Sequence, residues 1–158
     1  MASAALFAGE GALEPVSVCE LLAHAAEREG AVVALAGRFS FRENGRYVSE
    51  ENCPAAQGWP GSIQVAFDDK QAPKAPPVLT VDAAALDRKM KVIRQHTALA
   101  KFRFGSPWYD RWAVIYGRVE FRPEFRDGKK PGNVNGPLES APARLVCREG
   151  AVVLLPDE

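Results

Sequence analysis

Residues 31–41 and 112–121 are the two long stretches with the period of a strand, and each is interrupted by a glycine followed by an arginine. In the first, Val33, Leu35, Gly37, Phe39 and Phe41 share one face, while Arg38, Ser40 and Arg42 take the other. Aligning Gly117-Arg118 on Gly37-Arg38 sets Ile115 on Leu35 and Phe121 on Phe41. Ile115, Val119 and Phe121 then face inward. Trp112, Tyr116 and Arg118 face outward or lie under the first helix. A glycine inside such a run marks a bulge or a sharp bend, as small barrels need. Two bent strands of this kind would curl round a shared apolar interior.

The remaining segments supply the other parts of a barrel. Ser17-Val18-Cys19-Glu20 is a capping box, and Val18, Leu21, Leu22 and Ala25 follow at helical spacing, so residues 17–28 read as a short amphipathic helix ending at Gly30. Asn44-Gly45 is a hairpin signal, with residues 46–49 as the return strand. Ile63, Val65 and Phe67 alternate along a third strand. A proline-rich connection over 68–79 leads to a helix capped by Thr80 or Asp82, whose Leu86, Met90, Ile93 and Thr97 lie on one face up to about Ala100. After the long strand, 122–142 reads as a loop, and 143–147 with 151–155 as a closing hairpin around Glu149-Gly150. A helix between the third and fourth strands of such a set is the order of an OB-fold. The expected architecture is mainly β: an OB-fold-like antiparallel barrel of five to six strands, with one helix before it and the 82–100 helix closing one end. At 158 residues the chain suits a single domain over 16–158, preceded by a mobile Ala/Gly-rich tail over 1–15.

No apolar run approaches the roughly 20 residues that span a bilayer. Met1–Gly9 lacks a basic n-region, which reads as cytoplasmic, or as a chain trimmed after export. The three cysteines form no C-x-x-C pair, and neither His24 nor His96 makes a close-set group of four ligands with them, so no metal site is expected. In an exported protein Cys19 and Cys53 can pair and leave Cys147 free; otherwise all three are buried thiols packing as small apolar groups.

Val18-Cys19-Glu20-Leu21-Leu22, the stretch Gly30 to Arg38, and Asn52-Cys53-Pro54 together resemble a group of uncharacterised bacterial OB-like domains. These carry a V-C-x-L-L helix, a G-x-x-V-x-V-x-G-R strand and a cysteine after the second strand. The resemblance covers roughly residues 16–70 and implies the fold but no activity. Members are often exported, which implies a Cys19–Cys53 bridge.

Twenty basic and twenty acidic side chains cancel, which disfavours a globally basic nucleic-acid binder. The charge is nonetheless uneven. Residues 88–130 carry twelve basic against four acidic side chains, interleaved with eight of the fourteen aromatics. That mixture suits single-stranded nucleic acid, but also the core and wet faces of a barrel, which is the favoured reading. The stretch from Phe104 to Trp112 is the most unusual, and Trp108, Tyr109, Arg111, Trp112 and Arg118 are the candidate contacts for a protein or small-molecule partner. No nucleophile elbow, phosphate loop, zinc-protease helix or dinucleotide fingerprint occurs, and no cofactor is expected. Glu50-Glu51 reads as a solvated acidic pair in a turn. A non-catalytic binding or interaction module is the leading reading. An enzyme built on a Cys19 nucleophile is the weakest, because His24 does not share its helix face.

Overall fold

In the computed structural model, residues 12–42, 45–53, 61–74, 80–99, 109–121 and 143–156 are described. The elements run β1 (Ala12–Leu13), β2 (Pro15–Ser17), α1 (Val18–Ala23), a 3-10 turn (Ala26–Arg28), β3 (Val32–Arg42), β4 (Gly45–Ser49), β5 (Ser62–Phe67), β6 (Thr80–Val81), α2 (Ala83–His96), β7 (Tyr109–Phe121) and β8 (Ala143–Leu154). Strands β3, β4, β5, β8 and β7 pair in that order, and β7 returns to β3, closing a five-strand barrel. The β5–β8 pairing is parallel and the other four are antiparallel. Strand β2 adds to β3 in parallel where β4 does not reach. With a helix before the barrel and another between its third and fourth strands, the architecture is OB-fold-like.

Alternation along the strands sets the core. Val33, Leu35, Phe39, Val48, Ile63, Val65, Ile115, Val119 and Leu145 form the main interior cluster. Phe39 and Phe41, two apart on one face, bring their ring centroids to 4.6 Å. Gly37 is not the bulge its position suggests, because the β3–β7 register runs through it unbroken. A Cβ there would stand 2.8 Å from Val48 Cγ1 and 3.1 Å from the Ser49 carbonyl, so the missing side chain lets β4 and α1 close in. The register shift falls at Gly117.

The two helices exchange the roles expected of them. Val18 and Leu21 of α1 enter the main core. The outer face of β3 and β7 is covered by α2, whose Met90 and Ile93 pack on Ala34, Ala36, Trp112 and Val114. Ala34 and Ala36 are small enough for a helix to lie close above them. Within the apolar run 31–36, residues 33–36 are buried on both faces of the strand.

Helix α1 is also shorter than expected. Its capping box forms, with Ser17 Oγ accepting from Glu20 N–H and Glu20 Oε1 accepting from Ser17 N–H. At its end the His24 N–H donates to Leu21, three residues back, and the chain continues as a 3-10 turn to Arg28. Residues 12–15, read as tail, belong to the fold: β1 pairs with β6, and Pro15 is buried beside Ala34. The closing hairpin is instead one interrupted strand. Cys147 opposes Gly117 and Val152 opposes Ile115, both antiparallel to β7, while 148–151 bulge out between them. At 13 residues β7 is long enough to pair with both halves, so neither needs the other.

Candidate functional site

Three elements meet beside the barrel: the start of α1, the segment 50–53 after β4, and the last turn of α2. Cys19 and Cys53 are joined by a disulfide with a Cα–Cα separation of 4.9 Å. Three residues before Cys53, the Glu50 carboxylate is 3% exposed. Its Oε1 accepts from Cys19 N–H at 2.9 Å, and its Oε2 lies 2.7 Å from His96 Nε2. The His96 side chain is 25% exposed. One atom each from Cys19, Glu50 and His96 lie within 4.8 Å of one another.

Local backbone geometry builds this junction. Asn52 occupies the left-handed region at φ 60°, which asparagine tolerates better than most residues. The Gly61 carbonyl accepts from Glu50 N–H, and a Cβ on Gly61 would collide with the Glu50 carbonyl oxygen. The turn therefore tucks Glu50 inward while Glu51 stays exposed, so the acidic pair read as solvated is split between core and surface. Glu51 N–H then donates to Thr97 Oγ1 just past α2. Arg38 clamps the same junction, with Nε donating to Ser49 Oγ and one terminal nitrogen reaching both Glu51 Oε2 and the Ala98 carbonyl at 2.8 Å.

Helices α1 and α2 flank a cleft of about 420 Å³, with Ser17, Cys19 and Asn52 on one wall and Ala85, Val92 and His96 on the other. The α2 residues recur at helical spacing, so one stripe of the helix faces the opening. Lys89 reaches across to Glu20 at 2.8 Å. Burial pushes the Glu20 carboxyl up, but Lys89 together with the Ser17 backbone and hydroxyl outweighs it and holds the group below its ordinary value. The bond contributes above the carboxylate range and fades as pH falls through it. With Glu20 about half exposed, it ranks as a weak surface pair.

Comparison with protein-family models, curated proteins and solved structures finds no match to this chain. What stands of the family resemblance is therefore its shape, a small OB-fold-like barrel with two helices.

Of the residues singled out from sequence as a binding surface, the described side chains of Arg111, Trp112 and Arg118 do not form one exposed patch. Trp108 lies outside the described residues. Tyr109 opens β7 opposite Phe41, and its side chain is likewise outside them. Trp112 is 3% exposed, packed under α2 with the Arg94 guanidinium 5.7 Å from its ring centroid. Arg111 and Trp112 are neighbours in an extended strand and so take opposite faces of the sheet. Arg118 is half-buried opposite Val32 and Val146. Of the basic side chains of α2, Lys89 pairs with Glu20, Lys91 with Asp87, and Arg94 holds the Pro156 carbonyl.

Sequence reasoning missed Glu50 and His96. One signal was present: if Cys19 and Cys53 pair, Glu50 must lie near the Ser17 cap. His96 carried none, because nothing in the helix period says which distant residue its last turn meets.

The third cysteine is inert. Cys147 is fully buried in the core, and burial pushes its thiol up to about 12. A thiol reagent at pH 8 is expected to count no reactive cysteine in the native protein and one after unfolding without reductant. Native labelling within minutes would contradict this burial. In the unfolded chain the thiol ionises near 9.0, so its contribution to stability is complete below that pH and is lost as pH rises towards 12.

Among the described residues, no helix is long and apolar enough to cross a membrane.

Proposed function

We propose that this domain is a binding module that seats a small organic ligand, with an apolar body and a polar head, in the cleft between α1 and α2. The observation that carries this reading is the buried Glu50–His96 pair at the cleft. Burying a carboxylate is unfavourable unless its partners are placed well, and apolar residues would fill such a junction more cheaply. The cleft volume falls in the range of ordinary ligand pockets. Val92, 54% exposed on the cleft wall, offers apolar contact beside the polar His96 edge. The disulfide supports an oxidising compartment as the place of work.

Ligand-observed NMR of the oxidised full chain with a fragment library tests the reading. Fragments should bind and be lost in Val92→Arg, a surface change that leaves the core intact. An absence of binders at millimolar concentration, or binders indifferent to Val92→Arg, would overturn it.

One observation favours a second reading, in which reduced Cys19 acts as a nucleophile. His96 stands in the place where sequence offered only His24, and Glu50 fixes its ring in the manner of a base held by an orienting carboxylate. In Cys53→Ser, Cys19 should then alkylate at neutral pH faster than free cysteine, and His96→Gln should slow it. A rate no greater than that of free cysteine ends this reading.

A further inference from the structure

The geometry points to a redox-gated zinc site: once the Cys19–Cys53 bond is reduced, Cys19, Glu50 and His96 close on one Zn²⁺ ion, with Cys53 as fourth donor. Atoms from the first three residues already lie within 4.8 Å of one another. A tetrahedral zinc ion with metal–donor bonds of about 2.0–2.3 Å needs its donors about 3.3–3.8 Å apart, so closure calls for movements of about 1 Å. Glu50 and His96, at 2.7 Å, need only open their hydrogen bond around the ion. Cys53 Sγ, bonded to Cys19, is released directly beside the cluster.

The donor chemistry fits a borderline-soft cation. Two thiolates and an imidazole are common zinc ligands, and a carboxylate completes the set. Together with Zn²⁺ they leave a net charge of one minus, the same charge that Glu50 carries alone in the oxidised form. The cleft gives the ion an entry path, since Cys19, Glu50 and His96 all line it. The site is locked in the oxidised form because a disulfide sulfur is uncharged and already bonded, whereas the metal ligand is the thiolate.

The gating step balances. A dithiol reductant donates two electrons and two protons, leaves as its own disulfide, and converts Cys19 and Cys53 to thiols. Zinc binding then displaces both thiol protons to solvent. The inference goes beyond the cleft ligand and does not depend on it, since the metal alone is the probe.

Titration of the full chain with Zn²⁺ and Co²⁺, in oxidised form and after reduction and removal of reductant under argon, tests it. The reduced protein should take one equivalent, at least about a hundredfold more tightly than the oxidised protein. Its Co²⁺ form should show thiolate-to-metal charge transfer and the intense visible bands of a tetrahedral ion. Cys53→Ser should bind without any reduction, and His96→Gln should weaken binding by about tenfold or more. Equal affinity in the two redox states would overturn the site, as would a Co²⁺ spectrum without the thiolate band. The wild-type comparison needs no variant to fold. A cleft that binds fragments but no metal would remove this inference and leave the proposed function standing.

Discussion

Loss of the Cys19–Cys53 bond is expected to lower the unfolding free energy by about 4 kcal/mol. The bond spans 34 residues of sequence and encloses most of α1 and all of β3 and β4. Opening it returns that much chain to full freedom in the unfolded state, and the entropic cost of closing a loop of that length sets the figure. Small domains have about 5–15 kcal/mol in total, so the loss would be felt across the whole fold. Held then by the van der Waals contacts of Val18, Leu21 and Leu22 and by the Glu20 and Glu50 hydrogen bonds, α1 would be the first element to loosen. Urea unfolding of the oxidised protein against Cys53→Ser, with chelator present in both, measures the difference. A loss below about 1 kcal/mol would mean that the native contacts around α1, not the crosslink, hold the junction.

Replacing His96 with alanine is expected to cost about 3 kcal/mol, more than a half-buried histidine at a helix end would ordinarily be worth. The larger part is the penalty on Glu50. Its carboxylate is 3% exposed and keeps only the Cys19 N–H at Oε1 once the imidazole on Oε2 is gone. An uncompensated buried charge is far more costly than a missing hydrogen bond. The double variant His96→Ala/Glu50→Gln removes that charge but keeps an acceptor for Cys19 N–H, so it should be more stable than His96→Ala alone. Thermal and urea unfolding of the four members of the cycle give the coupling energy, expected at about 1–3 kcal/mol. Strict additivity of the two changes would mean that Glu50 and His96 do not share the hydrogen bond the structure shows.

The features legible in the sequence were those whose cause is local. Ser17 and Glu20 are three residues apart and cap their own helix. Asp82 caps α2 through Ala85 N–H in the same way. The two-residue period placed Val33, Leu35, Phe39, Ile63, Val65, Ile115 and Val119 on the interior before any strand was paired, and all seven lie in the main cluster. The barrel followed from the order of these elements, because a helix between the third and fourth strands restricts how a short chain can close its sheet.

Local patterning went astray where two partners could satisfy one pattern. The apolar stripe of α1 could have covered the outer face of β7, but the space beside Gly37 admits Val18, and Ala34 with Ala36 leaves the outer face to α2. Residues 143–147 and 151–155 could have paired with each other, but β7 offered both a longer edge. Trp112 looked like a contact residue because an aromatic beside a loop reads alike whether it is covered or bare.

Periodicity, caps and turns are properties of a few neighbouring residues, so the amino-acid sequence by itself determined β3, β4, β5 and β7, the start of α1 and the interior face of the barrel. Only the tertiary structure decided that Cys19, Glu50 and His96 meet, since 31 and 46 residues separate Glu50 from its two partners. The physical reason is burial: closure of the barrel brings α1, the turn after β4 and the end of α2 to one place, and there the Glu50 carboxylate must take the partners that packing provides.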